Sequence, residues 1–416
     1  MNRFIYSLLI GLLLPFAVLR LGWRSVKEKA YRQHILERFG VLDSKTASSD
    51  IWVHAVSAGE SIAIGPLVER LLEAGHRLTV TTTTPAGRAQ LRREFSGRVT
   101  IYYAPFDTSR AIARFLGRVQ PRMALLVETE IWPNWLAALS RQNIFTALIN
   151  GRLSTKSSQG YQKLQPLMQK TLAHFHWIAV QSEAHRARFI ELGASPDRVS
   201  VTGSIKADQP LPTDFVAVTR TMQGEFKDHT VLLAASTHPG EEIMMLRAFE
   251  ALRQRHGGLR LVLVPRHVPR AEAVCQLVRE FKMTVERRSQ ASQPSDADVL
   301  VVDQMGQLLY WYGASEIAFI GGSLVAHGGH NFLEAALCES AIVTGDSLFN
   351  FESQAEQFKQ AEAIKVVRSE LELTEALDEL LSNPSLRAES VARALQTLNS
   401  HRGALDRVFD ELATKL

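Results

Sequence analysis

From residue 51 onward, short apolar runs alternate with amphipathic stretches, and no other feature restricts the fold of this chain so strongly. In the first half they read "IWVHAVS", "RLTVTT", "RVTIYY", "RMALLVE", "IFTALIN" and "WIAVQ", with helical patterns between them, one ending near Ala74, others starting at Pro85 and Thr108. Strands separated by single helices are joined by right-handed crossovers, which build a parallel sheet covered on both faces. From Gly203 to about His229 the rhythm stops, with Pro210 and Pro212 close together; it restarts with "TVLLAAS", "LRLVLVPRH", "DVLVVD", "EIAFIGGS" and "SAIVTG". The expected fold class is therefore α/β, with two Rossmann-like, doubly wound parallel-sheet domains in tandem. A length of 416 residues also suits two cores better than one. The boundaries expected are an N-terminal anchor over 1–22, a first domain over 23–205, a linker over 206–230, a second domain over 231–385 and C-terminal helices over 386–416. Open parallel sheets bind ligands at the carboxyl ends of their strands, so function is expected in an interdomain cleft that both sheets face.

The N-terminus is a membrane signal. Residues 4–19, "FIYSLLIGLLLPFAVL", are almost wholly apolar and are followed by Arg20, Arg24, Lys27, Lys29 and Arg32. The run is short against the roughly 20 residues of a bilayer span, but no small-residue cleavage site follows it, so a retained anchor is expected. Basic residues on its C-terminal side leave the remainder of the protein in the cytoplasm. A net charge of +4 suits an anionic partner. Nucleic acid is not expected, because the Lys and Arg residues are scattered without interleaved aromatics. Cys275 and Cys338 lie in apolar helical contexts without metal or redox spacing and read as core residues.

Carboxylates, small hydroxyl residues and glycines gather at the strand ends. "HAVSAGE" places Ser57, Gly59 and Glu60 after the first strand, "LLVETEIWPNW" places Glu128 and Glu130 after another, and "LINGRLS" places Asn150 and Arg152. In the second half "AASTHPGEE" offers Ser236, Thr237 and Gly240, "VPRH" offers Arg266 and His267, and "GGSLVAHGGHNFLEAA" brackets a loop with Gly321, Gly322, Gly328 and Gly329. Such loops let backbone N–H groups approach an anion at a helix N-terminus, so the second half is expected to hold a phosphate. Asn331 is expected to cap a helix whose Phe332, Leu333, Ala335 and Ala336 enter the core, with Glu334 in its first turn. His327 and His330 have no third ligand in reach, and "DAD" at Asp296 to Asp298 precedes a strand, so no metal is expected. There is no GxxxxGK[ST] run and no GxGxxG after the first strand, which removes the main support for a P-loop NTPase or a dinucleotide dehydrogenase.

Taken in order, "HAVSAGE", "VETEIWPN", "NGRLS", "TGSIKAD", "STHPGEE", "PRH", "MGQLLYWYGASEIAFIGGSL" and "GGHNFLEAA" resemble the 3-deoxy-D-manno-octulosonic acid (Kdo) transferases of lipopolysaccharide synthesis. The resemblance runs from the N-terminal anchor to about residue 350. It implies a GT-B fold, attachment to the cytoplasmic side of the inner membrane, CMP-Kdo as donor, the lipid A precursor as acceptor and no cofactor. It further implies Glu60 as the proton acceptor, with Glu130 and Lys206 stabilising the transition state. The CMP site is implied at Arg266, His267, the backbone of Met305, Gly306 and Gln307, and Asn331, Phe332, Leu333 and Glu334. Three positions depart from the family pattern: Gly151 for Ala, Gln307 for Glu and Phe332 for Pro. Because CMP leaves as a monophosphate, transfer is expected to be independent of divalent cations. Two other classes remain at this point: a GT-B enzyme using a UDP-sugar in another envelope pathway, and a membrane-attached nucleotide-binding protein without catalysis.

Overall fold

The computed structural model describes residues 2–43, 48–226, 229–290 and 297–416. The chain divides into two units, Met1–Gln209 with Arg402–Leu416, and Pro210–His401. The first unit carries strands β1 (Ile51–His54), β2 (Leu78–Thr82), β3 (Thr100–Tyr103), β4 (Met123–Val127), β5 (Phe145–Gly151), β6 (Trp177–Val180) and β7 (Val199–Val201) in the order β3-β2-β1-β4-β5-β6-β7. Ile51 pairs with Leu78 on one side and Met123 on the other, and every pairing in the sheet is parallel. Strand order reverses between β1 and β4, which makes their carboxyl ends the place where a crevice opens.

Both β1 and β4 are buried at every position, as their unbroken apolar runs require of central parallel strands. Neighbouring residues point to opposite faces. Trp52 joins Phe115, Leu126, Trp135 and Leu148 in one core layer. Val53 joins Leu67, Phe95, Leu125 and Ile149 in the other. Truncating the fully buried Trp52 to Ala should cost about 3–5 kcal/mol, from lost burial and the cavity left behind.

The second unit carries β8 (Thr230–Thr237), β9 (Leu259–Pro265), β10 (Val285–Arg287), β11 (Val299–Val301), β12 (Ile317–Ile320), β13 (Ala341–Gly345) and β14 (Lys365–Val367), ordered β10-β11-β9-β8-β12-β13-β14 and again parallel. Leu232, Ala234, Leu261, Leu263, Ile317 and Phe319 form the centre of its core. The sequence rhythm omitted β7, β10 and β14. All three are three residues long and lie at sheet edges, where one-sided pairing needs no continuous apolar run.

Three segments lie outside the two sheets, and the first of them is more structured than its composition suggested. The 206–230 stretch contains the helix Phe215–Glu225, with Phe215, Thr219 and Met222 buried. The 386–416 stretch divides: the helix Pro384–Ser400 belongs to the second unit, while Ala404–Ala413 returns to the first. There Leu405, Val408 and Leu412 enter the layer around Val53, and Asp208 accepts from the Gly403 and Leu405 backbone N–H groups at 2.7 and 2.6 Å. At the other end, the helix Arg3–Lys27 is capped by Asn2. Arg3–Val26 is long and apolar enough to cross a membrane, with mean hydropathy 2.1. Its polar contacts hold it on the first unit: the Tyr6 hydroxyl donates to Asp107 at 2.8 Å and the Ser7 hydroxyl to Asn134 Oδ1 at 2.7 Å. Leu8, Leu12, Phe16, Leu19 and Trp23 form an exposed row.

Candidate active site

At the carboxyl edge of the first sheet the chain turns sharply after β1, and Ser57 becomes the N-cap of the short helix Ala58–Ala63. Glu60 reaches back to accept from the Val56 N–H at 2.7 Å and the Ser57 hydroxyl at 2.9 Å. This resembles a capping box, with the back-bond running to the residue before the N-cap, but the surroundings add to it. Burial, the charge of Glu128 and that of Glu130 together outweigh those hydrogen bonds and lift the Glu60 carboxyl to about 7. Glu128 behaves in the opposite way. It sits after β4 with φ of +65°, a conformation unfavourable for a side chain bearing a Cβ, and is buried against two cations. Lys206 Nζ lies 2.6 Å from one oxygen and Arg152 Nε 3.0 Å from the other. Burial alone would raise its titration; the two cations overcome that and hold it below the ordinary carboxylate range.

Glu130 completes the cluster, accepting from the Trp132 indole N–H at 2.5 Å, with His54 Nε2 at 3.4 Å. His54 is buried at the end of β1 and its Nδ1 meets Thr81 Oγ1 at 2.9 Å. Asn150, also with positive φ, accepts the Ile205 N–H through Oδ1 at 3.3 Å and so fixes the turn Ile205–Asp208 that carries Lys206. Four strand ends thus contribute to one cluster: an ionised carboxylate locked between cations, beside one that titrates near neutrality.

The carboxyl edge of the second sheet is built differently. Near the end of β8, Ser236 takes φ of +55°, and beyond the strand the chain enters the helix Glu241–Arg253. Glu241 is fully buried. Its carboxylate accepts from His238 N at 2.9 Å, Gly322 N at 2.8 Å, Ser323 N at 3.1 Å and Leu324 N at 3.1 Å. One side chain therefore pins the loop after β8 to the glycine loop after β12. Gly322 has φ of +70° and a Cβ there would meet the His330 ring at 3.1 Å, so this turn needs glycine. Over it lies a histidine cluster: His238 stacks on His327 with ring centroids 4.1 Å apart, and its Nε2 is 2.9 Å from His330 Nε2. Burial, then neighbouring cations and histidines, depress His238 to about 4 and His330 to about 3. His267 is lowered for the same reasons, first burial and then Arg266. Glu242 holds Arg270 at 2.8 Å.

The residues expected from sequence fall into groups. Glu60, Glu128, Glu130, Arg152 and Lys206 come together in the first unit. Arg266 and His267 come together with the histidine cluster in the second. Met305, Gly306 and Gln307 follow β11 and open the helix Leu308–Gly313, where Gln307 is the N-cap residue and donates to Gln304. Asn331 does not cap the next helix: Phe332 occupies that position, and the Asn331 amide donates to Glu334 at 2.9 Å instead. Phe332 and Leu333 bury their side chains, Phe332 against Phe351 and Phe358, which leaves only their backbone for a ligand. Asp296 lies outside the described residues. Asp298 is occupied by Thr284 and Arg253. Among the described residues no three His, Cys, Asp or Glu side chains are grouped to hold a metal ion. Sequence reasoning missed His54, His238 and the role of Glu241. The consecutive acids in "HPGEE" were the one available signal, since a helix N-terminus gains from a carboxylate there but does not need two.

Two Rossmann-like parallel sheets of seven strands, each with its loops gathered at the carboxyl edge, define a GT-B fold. The fold is shared with a solved glycosyltransferase from Rickettsia africae ESF-5 (TM-score 0.58, 13% identity, 88% of this chain and 99% of that one). It is also shared with UDP-GlcNAc 2-epimerase from Neisseria meningitidis (TM-score 0.57, 14% identity, 88% and 99%). Those likenesses concern fold only. Residues 33–209 match the family described as 3-Deoxy-D-manno-octulosonic-acid transferase (kdotransferase). The 3-deoxy-D-manno-octulosonic acid transferase of Haemophilus influenzae is 35% identical over 99% of this chain and 98% of its own length, and that of Bordetella pertussis 32% identical over 99% of each. The chain belongs to this family of Kdo transferases, the glycosyltransferases of lipopolysaccharide biosynthesis.

Proposed function

We propose that the protein transfers Kdo from CMP-Kdo to the lipid A precursor, lipid IVA, at the cytoplasmic face of the inner membrane, with inversion and with Glu60 as the base. The observation that carries this reading is the split between two neighbouring carboxylates. Glu128 is kept ionised by Lys206 and Arg152, while Glu60 titrates at about 7, where a general base is most effective. In the step proposed, the Glu60 carboxylate takes the proton of an acceptor hydroxyl. The hydroxyl oxygen forms a bond to the anomeric carbon as the bond from that carbon to the CMP phosphate oxygen breaks, and CMP departs with the electron pair.

Lys206 is committed to Glu128 at 2.6 Å, which favours an indirect role: it keeps Glu128 charged and so keeps Glu60 basic. Glu130, held by Trp132 and His54, is suited to orient an acceptor hydroxyl. For the donor, the guanidinium of Arg266 matches a phosphate, with the backbone at Met305 to Gln307 and at Phe332 and Leu333 supplying N–H donors, and Asn331 and Glu334 the polar side chains. The apolar helix Arg3–Lys27, followed by basic residues, supports the membrane location. The test is transfer by purified enzyme from CMP-Kdo to lipid IVA, read by mass analysis of the lipid, beside a donor screen with UDP-sugars. Product with CMP-Kdo alone supports the reading; product with a UDP-sugar and none with CMP-Kdo overturns it.

A further inference from the structure

A cavity of about 400 Å³ lies between the helix Arg3–Lys27 and the carboxyl edge of the first sheet, a volume within the range of ligand sites. Its helix wall is apolar along Ile10, Leu14, Ala17 and Leu21, with Arg20 and Arg24 toward one end. The opposite wall is polar in a specific way. Arg38, His54 and Trp135 line it and are all more than nine-tenths buried. Arg38 Nε and Trp135 Nε1 have no hydrogen-bond partner, while His54 Nε2 faces Glu130 at 3.4 Å. Buried donors left unpaired are rare in folded proteins; two on one cavity wall call for a ligand that brings acceptor oxygens.

The cavity also shares a wall with the reacting groups. Trp132 lines it, and the same indole N–H is bonded to Glu130. The helix runs along the first unit, held at one end by Tyr6 on Asp107 and Ser7 on Asn134, and with Arg24 over the Tyr31 ring at the other. From Tyr6 to Arg24 that is about 27 Å of helix. Its exposed apolar row suits a bilayer interface, and Arg20 and Arg24 at the cavity add positive charge. A nucleotide would leave the apolar wall unused; a lipid matches both walls.

We propose that this cavity seats one acyl chain of the lipid acceptor, with oxygens at the root of the chain bonded by Arg38 and Trp135, so that the N-terminal helix forms part of the acceptor site. The inference rests on the lipid-acceptor reading above. Filling the cavity from the helix side tests it, with Ala17→Trp and the milder Ala17→Leu assayed against lipid IVA and against its fully deacylated headgroup. The expected result is a KM for lipid IVA raised about ten-fold more than the KM for the headgroup with Ala17→Trp, and a smaller divergence with Ala17→Leu. Equal changes for the two acceptors, or none, overturn the proposal.

A second readout needs no turnover. In a Trp23→Phe background, a brominated-acyl lipid IVA quenches the indole fluorescence of the cavity, and Ala17→Trp reduces the brominated lipid's binding constant measured by that quenching. If brominated phosphatidylglycerol quenches equally and lipid IVA does not displace it, the site serves bulk lipid and the proposal falls. If wild-type enzyme transfers Kdo to neither acceptor, the reading of the reaction fails, and the quenching alone decides the cavity.

Discussion

The two sheet edges bury a carboxylate by opposite means. In the first unit Glu128 is neutralised by the side chains of Lys206 and Arg152; in the second Glu241 is satisfied by four backbone N–H groups. Side-chain cations respond to the charge beside them, whereas backbone donors have one geometry and fix the loops that carry them. The first arrangement acts on its neighbour, and Glu60, raised to about 7 by burial and by the charge of Glu128, is the group it tunes. The second is suited to holding a shape, over which depressed histidines stay neutral near pH 7.

The sharpest way to break this contrast is Glu60→Gln, which keeps the contacts to Val56 and Ser57 and removes the base. Transfer should fall roughly 100- to 10,000-fold with an unaltered circular dichroism spectrum; activity near wild type would remove Glu60 from the chemistry. Next in size is Glu241→Ala. Stripping the acceptor from buried N–H groups should destabilise the second unit by on the order of 3 kcal/mol, seen in denaturant unfolding, and loosen the 321–330 loop in hydrogen exchange. Unchanged protection there would show that the glycine loop holds itself.

Acid and base should then affect the two units in opposite directions. Glu60 is raised from 4.5 to about 7, so its contribution to stability is complete below about 4.5 and is lost as pH rises through about 7. His238 and His330 are lowered from 6.5 to about 4 and about 3, so theirs is complete above about 6.5 and is lost as pH falls toward those values. Hydrogen exchange corrected for intrinsic rates should show the 55–61 turn less protected at pH 8 than at pH 5 by roughly 1–2 kcal/mol, and the 321–330 loop the reverse by less, because solvent screens the partly exposed His238. The smallest effect expected is from Glu128→Gln. Removing the neighbouring charge should move the midpoint of the pH–rate profile downward by up to about one unit; an upward shift would mean that Glu128 acts on Glu60 mainly through its cations.

Much of the fold was legible because central parallel strands must be apolar at every position. "IWVH" and "MALLV" announce β1 and β4 for that reason, and the gathering of Glu60, Glu128 and Glu130 was legible because carboxylates and glycines mark strand ends. The edge strands were not legible, since three half-exposed residues carry no run. Nor was the pairing of Glu128 with Lys206, 78 residues apart: nothing local distinguishes a lysine in a turn from one that neutralises a buried acid. Asn331 shows the converse failure. Its sequence context is that of a cap, but Glu334 competes for the same side chain and takes it.

The helix Ala404–Ala413 has a consequence for how the protein is made. Its Leu405, Val408 and Leu412 complete a layer that begins at Ile51 and Val53, so on the ribosome the first unit waits, with that apolar face open, until residue 412 has emerged. The intervening unit is contiguous in the chain and has all of its core available sooner. Synthesis thus reverses the order of the sequence: the unit begun first is sealed after the one inserted within it.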